Sequence, residues 1–430
     1  MDQAKFEPLI RVEGEGEIAV IIDGENRVRD VEYHITEAPR FFEYIVRNKH
    51  YTTVPDLVSR ICGLCGSSYT LGAAKAFEEC LGGVDVPLEV EQYRAVVHLA
   101  ERIKSHMIHI GLLNLPDLIG ARTFMDLAER NPELFKAIIE LVKLSELLMK
   151  SIGGRIHNVV SIQVGGVTKL ISREEASKLN KIMRRTFNPL LVKFADFMLS
   201  LETYPSEKQD LILCSVYEDE YPHMSTRIEC NDMIMNAYDF YERTVEVLQR
   251  ENKTALLYKI SGKPYVVGPI ARFNKHMDKL APETVDLLKQ YGWYRKLDNV
   301  FQGAIARVAE IHDAAVEITD FLESYEASSF ISKAEPIKIS ERGTCVHAIE
   351  APRGILYHRY TVDQQGIVMA ANLVTPTAQN LVAMEEIGRG KVLKRTLSED
   401  IIDTLRRVAV AFDPCITCSV HSIPVKISKV

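Results

Sequence analysis

Eight cysteines occur among 430 residues, and four of them form two Cys-x-x-Cys pairs at opposite ends of the chain. The first pair lies in Arg60-Ile61-Cys62-Gly63-Leu64-Cys65, the second in Asp413-Pro414-Cys415-Ile416-Thr417-Cys418-Ser419-Val420-His421. That spacing lets two thiolates of one turn reach the same metal, and two pairs supply four sulfurs, a soft donor set suited to zinc, nickel or iron. A structural zinc site is one reading. Zinc-ribbon knuckles, however, usually stand about 15 to 20 residues apart, and these are separated by most of the chain. A thioredoxin-like redox pair needs one Cys-x-x-Cys at a strand-to-helix junction of a βαβ unit, and the sequence offers little βαβ pattern. Cys80, Cys214, Cys230 and Cys345 stand singly in apolar or mixed surroundings and read as buried thiols. Eight cysteines are too sparse for a disulfide scaffold.

A site drawn from residues 62 and 415 needs a fold that brings the two ends together. Residues 17 to 35 alternate in polarity around Asp23-Gly24 and predict a two-stranded ribbon. Apolar residues at three- and four-residue spacing then predict helices near 91 to 114, 124 to 150, 173 to 203, 227 to 251 and 299 to 326, with Ser172 and Glu175 capping one of them. Long helices in succession suggest a bundle core. A β-rich interval follows at 342 to 376, where two strand-like runs flank Asp363-Gln364-Gln365-Gly366, and a last helix near 398 to 411 runs into the second cysteine pair. No Pro/Gly/Ser-rich linker and no repeat interrupts the chain. The expectation is a single α+β, mainly α unit: a β-ribbon over about 8–36, a helical core over about 55–330, and a β-rich, metal-binding part over about 335–430.

Composition agrees with such an enzyme-sized unit. Apolar residues make up 47% and charged residues 26% of the chain, as in ordinary globular proteins. The net charge of -7, from 59 acidic and 52 basic side chains with no long Lys/Arg run, argues against nucleic acid and polybasic membrane roles. Small molecules and protein partners fit better. No stretch approaches 18 apolar residues, and the N-terminus lacks a secretion-signal order, so the chain is expected neither to span a membrane nor to be exported by its own signal.

Arg60 to Cys65 with Asp413 to His421 resembles the paired cysteine signature of the large, catalytic subunit of nickel-iron hydrogenases. Further blocks agree in order: Arg11-Val12-Glu13-Gly14, Pro39-Arg40-Phe41-Phe42-Glu43, Ser105-His106 through Leu115-Pro116-Asp117, Gly154-Arg155-Ile156-His157 through Gly165-Gly166, Glu350-Ala351-Pro352-Arg353-Gly354, and Pro376-Thr377. The Glu-Ala-Pro-Arg-Gly wording and the modest length look most like the soluble, cytoplasmic branch. That resemblance implies a nickel held by Cys62, Cys65, Cys415 and Cys418, with Cys62 and Cys415 terminal and Cys65 and Cys418 bridging to an iron that carries carbonyl and cyanide ligands. A terminal thiolate can take the proton released when dihydrogen splits.

Other roles follow from the same resemblance. Glu13, which alone reads as a surface acid beside Glu15 and Glu17, matches the proton-gate glutamate and needs burial to raise its pKa toward neutrality. Arg353, otherwise an ordinary Pro-Arg-Gly turn, matches the arginine over the open metal position, with Asp117 and Asp413 as the carboxylates that orient it. Pro376 and Thr377 match the segment that donates toward cyanide. Glu43 and His421 match ligands of a magnesium or iron site. His106, His109 and His157 read as core hydrogen-bonding histidines rather than a proton path.

Two departures stand out. Tyr69 occupies a position that is usually histidine in the family, which alters any hydrogen bond to the bridging sulfur. Residues 422–430 follow His421, after which the family's maturation protease commonly cuts; their alternation could form a short edge strand if retained. The resemblance also implies an obligate iron-sulfur small subunit, since the remaining cysteines lack cluster spacing, together with electron-acceptor reductase subunits and nickel-insertion and C-terminal protease maturation factors. The acceptor class is NAD(P), deazaflavin, ferredoxin or heterodisulfide, and the expected compartment is the cytoplasm. Two other readings compete. A zinc-stabilised assembly or binding protein needs the cysteines but not the Glu13 and Arg353 blocks, and a quinone-reductase-type relative should have lost the thiolates.

Overall fold

Strand polarity near the N-terminus builds a three-stranded antiparallel sheet, β1 (Gln3–Pro8), β2 (Gly16–Ile22) and β3 (Val28–Ile35), in which Ile18 lies opposite Tyr33 and Val20 opposite Val31. The ribbon expected over 17 to 35 is present, and β1 adds a strand that its mixed polarity had not announced. The computed structural model describes residues 3–80, 86–250, 254–325 and 343–420. Ile18, Val20, Val28 and Val31 are wholly buried, each adding roughly 1.5–3 kcal/mol of apolar burial.

The site-bearing helices follow. Helix α1 (Gly66–Cys80) is buried over nearly its whole length, and its small residues let it lie close to a sheet: a Cβ on Gly72 would stand 2.5 Å from the His358 ring and 3.0 Å from Ile349. Helices α2 (Leu88–Ile108) and α3 (Pro132–Gly153) pack together, as do α2 and α5 (Gly303–Ser324), with α4 (Pro269–His276) against α5. Asn131 caps α3 through the Leu134 N–H and Pro132 opens it, which divides the run expected over 124 to 150 into Met125–Arg130 and α3. Ser172 and Glu175 form the expected capping box.

A four-stranded antiparallel sheet carries the second half of the site. Its order is β7 (Val368–Val374), β6 (Gly354–Val362), β5 (Gly343–Ala351) and β4 (Met224–Ser225). Helix α6 (Pro376–Val392), not foreseen from spacing because it is buried on several sides, leads to α7 (Glu399–Phe412).

Two expectations are corrected. Residues 227 to 251 are not one helix: Arg227–Cys230 and Met233–Asn236 form a hairpin around Asn231, whose φ is 53°, and Val245–Gln249 pairs with Leu256–Ile260. The Asn231-Asp232 turn breaks the helical period, and the alternating Ile228, Cys230, Met233 and Met235 pair across strands instead. Nor are the four single cysteines free thiols. Cys80 is disulfide-bonded to Cys345, with Cα atoms 4.8 Å apart, and Cys214 to its cross-strand partner Cys230 at 4.1 Å. Pairing across 265 residues depends on how α1 meets β5, which no local pattern encodes.

Candidate metal centre

Cys62 and Cys65 sit on the turn between the helix Val54–Ser59 and α1, where the N–H groups of Leu64 and Cys65 donate to Cys62 Sγ at 3.3 and 3.4 Å. The second pair arrives where α7 stops. Asp413 takes a left-handed conformation, φ 54°, and Pro414 cannot continue the helix, so the chain turns into the short helix Ile416–Ser419. All four sulfurs lie within 4.8 Å of one another, with Cys62 to Cys415 at 3.3 Å and Cys415 to Cys418 at 2.8 Å. Each cysteine is buried.

Electrostatics make that arrangement a cation site. Burial and its sulfur neighbours push the Cys415 and Cys418 thiols well above the usual range, whereas hydrogen bonds from Cys415, Cys418 and Cys65 hold Cys62 well below it. Four thiolates cannot share so small a volume unless a metal compensates their charge. Beside the sulfurs lies a small buried cavity of about 10 Å³, bounded by Cys65, Cys415 and Cys418 and by Arg353, Pro376 and Thr377, with Tyr69, Ala351 and Leu356 completing it. The Tyr69 hydroxyl is buried there with no hydrogen-bond partner among the described residues. A soft donor set, a closed space and an orphaned donor fit a metal pair with small ligands.

Glu13 is placed by backbone pairing, not by its own helix or strand. Its carbonyl accepts the Ile416 N–H at 2.9 Å in a parallel bridge between Glu13 and Cys415. Gly14 permits this approach: its φ is +88°, and a Cβ there would stand 2.7 Å from Ile416 Cβ. The carboxylate then receives Cys415 Sγ at 2.9 Å and the Thr417 hydroxyl at 2.7 Å. Burial, with the negative charge on Cys62 second, raises the Glu13 pKa against the opposing bonds from Cys415 and Thr417. Glu37, not singled out from sequence, also accepts from the Thr417 hydroxyl at 3.1 Å.

Arg353 stands on the opposite side. Its guanidinium donates to Asp413 Oδ1 at 2.9 Å, the Asp413 carbonyl at 2.8 Å, Cys65 Sγ at 3.3 Å and Ser105 Oγ at 3.3 Å. Only glycines fit around this turn, since a Cβ on Gly268 would lie 2.5 Å from the Arg353 carbonyl. Arg272, on α4, was invisible in the sequence. Its buried guanidinium bonds Glu310 and Glu350 at 2.7 and 2.6 Å and the Ala351 and Pro352 carbonyls at 3.0 Å each, clamping the turn that presents Arg353. A single arginine in an amphipathic helix gives no motif from which to predict this.

The remaining site residues divide. Thr377 accepts the Cys415 N–H at 2.8 Å, and Pro376 opens α6 beside it. Asp117 does not orient Arg353 here: among the described residues it pairs with Arg11 at 2.7 Å and approaches Arg407 at 3.8 Å. Two other cations hold that carboxylate, which lies on the short helix Leu115–Leu118, and the carboxylate that Arg353 bonds is that of Asp413. Glu43 accepts the Leu373 N–H at 2.6 Å and burial pushes its pKa up to about 8. His421 and residues 422–430 lie outside the described residues, and with them the second half of the proposed Glu43 site and the edge strand. His106 bonds Glu310, His109 the Val410 carbonyl and His157 the Gly63 carbonyl, each at 2.7 Å.

This combination of a four-sulfur centre, flanking acid and arginine, and mainly helical α+β frame defines a metal-dependent redox enzyme component. Comparison with family models matches the nickel-dependent hydrogenase family over residues 40–126 and 258–421, with a HoxL-like model over residues 4–38. The chain is 30% identical to the alpha subunit of sulfhydrogenase 2 of Pyrococcus furiosus over 97% of this chain and 99% of that protein. It is 26% identical to the beta subunit of the NAD-reducing hydrogenase HoxS of Cupriavidus necator, over 97% and 94%. The crystal structure of an NAD+-reducing [NiFe]-hydrogenase in the H2-reduced state shares the fold at a TM-score of 0.86 and 24% identity, covering 98% of this chain and 99% of that one. The chain belongs to the nickel-dependent hydrogenase family and is the catalytic large subunit of a nickel-iron enzyme. Among the described residues no helix is long and apolar enough to cross a membrane.

Proposed function

We propose that this protein catalyses the reversible heterolytic cleavage of dihydrogen, with Cys62 and Cys415 as terminal nickel ligands and Cys65 and Cys418 bridging to an iron that carries carbonyl and cyanide. Bound there, the metal pair supplies the open Lewis-acid position at which dihydrogen is polarised and its electrons are taken up. The proton is the protein's task. Cys415 Sγ accepts it and passes it 2.9 Å to Glu13, whose second oxygen is held by Thr417. Arg353, locked by Asp413, keeps a permanent positive charge at the cavity, and the Thr377 hydroxyl, accepting from the Cys415 N–H, retains its hydrogen for a ligand there. The single observation that carries this reading is the contact of Cys415 with Glu13 on one side of the sulfur quartet while Arg353 contacts Cys65 on the other.

Electrons then leave through an iron-sulfur small subunit, because the other four cysteines are consumed in disulfides. Reductase subunits pass them in the cytoplasm to NAD(P), deazaflavin, ferredoxin or a heterodisulfide. Glu43 and His421 hold magnesium or iron. Nickel-insertion factors and a C-terminal protease complete the site, so nickel-loaded protein from its host should end at His421; an intact mass retaining residues 422–430 on fully active enzyme contradicts this. The decisive test is Glu13→Gln. It should retain nickel and iron and lose hydrogen turnover by about 10²–10⁴-fold, the range of general acid–base contributions, with deuterium exchange into water suppressed. Normal exchange and turnover in a metal-replete variant excludes Glu13 from the proton path.

A further inference from the structure

Far from the sulfur quartet, a cavity of about 710 Å³ opens between the C-terminal end of α1, the start of α2, the last turns of α5 and strand β5. Its wall carries six carboxylates, among them Glu79, Glu91 and Glu317, against one cation, Lys75. Lys75 is already engaged, 3.0 Å from Glu91 and 3.8 Å from Glu78. An acidic wall alone defines no ligand. The second observation is His347, which lines the cavity at 2% exposure with neither ring nitrogen hydrogen-bonded among the described residues. Leaving such a ring unsatisfied costs free energy that a bound hydrogen-bonding group recovers. Burial pushes the His347 pKa down to about 3, so at neutral pH the ring is uncharged and one nitrogen is an acceptor.

His347 has a counterpart on another element. Its Nδ1 lies 3.8 Å from Glu79 Oε1, too long for a hydrogen bond, and His223 Nε2 lies 3.8 Å from Glu317 Oε2 while its buried Nδ1 has no hydrogen-bond partner among the described residues. The cavity wall thus holds two imidazole–carboxylate pairs, each a set of acceptors able to receive an N–H cation. The same lining includes the apolar Leu88 and Phe321, which suit methylene groups. The volume falls in the range of small-molecule pockets, about 300–1,000 Å³. We infer that this cavity binds a linear organic polyamine, one ammonium group at His347–Glu79, another at His223–Glu317, and the methylenes along Leu88 and Phe321.

Calorimetric titration of the nickel-loaded enzyme with spermidine at low salt tests this directly. One equivalent should bind per chain, at least tenfold more tightly than n-butylamine, which carries a single charge. Affinity should fall at least tenfold in Glu79→Gln/Glu317→Gln and at least fivefold in His347→Gln, with hydrogen turnover unchanged. Should the double variant misfold, Glu317→Gln alone serves, because that side chain is 46% exposed and its replacement leaves the core intact. Three results overturn the proposal: no saturable binding, equal affinity for n-butylamine or Mg²⁺, which marks a merely diffuse acidic surface, or unchanged affinity in Glu317→Gln.

Discussion

Two sets of cysteines, each assembled from distant parts of the chain, meet opposite fates. Cys62, Cys65, Cys415 and Cys418 converge with no disulfide among them, inside a frame of Glu13, Arg353, Asp413 and Thr377. Cys80 with Cys345, and Cys214 with Cys230, close covalently, the latter enclosed by Val216, Ile228 and other apolar neighbours. Proximity of thiols is common to both sets. What separates them is the surrounding charge: an acid that can take a proton, an arginine that answers thiolate charge, and a closed space beside the sulfurs. A metal centre is therefore defined less by its ligands than by the buried groups that make charged sulfur tolerable.

Breaking the quartet should have the largest effect. Cys415→Ser replaces a soft thiolate with a neutral hydroxyl and should abolish both bound nickel and hydrogen turnover, as metal analysis of anaerobically purified protein would show; retained stoichiometric nickel would refute the ligand assignment. Altering the frame alone is milder. Arg353→Lys keeps the charge but loses the planar fork that reaches Asp413, Cys65 and Ser105 together, so turnover should drop by roughly 10²-fold with nickel and iron intact. A variant that loses its metals instead makes Arg353 a structural tie.

The paired cysteines should respond in the reverse sense. Cys345→Ser removes the tie between α1 and β5 and should lower unfolding stability by about 2–4 kcal/mol, the usual range for a native disulfide, while metal content and specific activity persist. Loss of nickel would erase the distinction between the two sets.

The smallest effect sharpens the cost of charge near the quartet. Glu101 accepts the N–H groups of Ser67 and Ser68, just beyond Cys65, and burial pushes its pKa up to about 7. Because the folded state holds this proton more tightly than the unfolded chain does, its contribution is complete below the ordinary carboxylate range and is withdrawn as pH rises through about 7. Relative to Glu101→Gln, the parent should lose up to about 3 kcal/mol between pH 4.5 and 7 in paired denaturation curves. Parallel curves would show that Glu101 is not buried as a proton-binding group.

The residues of the candidate metal centre were more legible than the fold around them. Cys-x-x-Cys is a local pattern, and Arg11 to Gly14, Glu350 to Gly354 and Pro376-Thr377 are contiguous blocks, so residue type and order carried the reading. Long runs with apolar residues at three- and four-residue spacing, such as α2 and α5, were equally plain. Failures came where periodicity was ambiguous or partners were remote: the hairpin at 227 to 236 mimicked a helix, and α6 is buried on too many sides to show a stripe.

By itself, the sequence singled out the four cysteines, the acid and the arginine as candidates, because side-chain chemistry and short spacing are properties of the chain. Tertiary structure decided the rest. It chose Asp413 over Asp117 for Arg353, since two other cations hold Asp117; it set Arg272 beneath the Arg353 turn; it brought Glu13 to Cys415 through a glycine-permitted backbone contact; and it closed Cys80 onto Cys345. Each choice depends on distances between segments tens to hundreds of residues apart, and only the packed core fixes those distances.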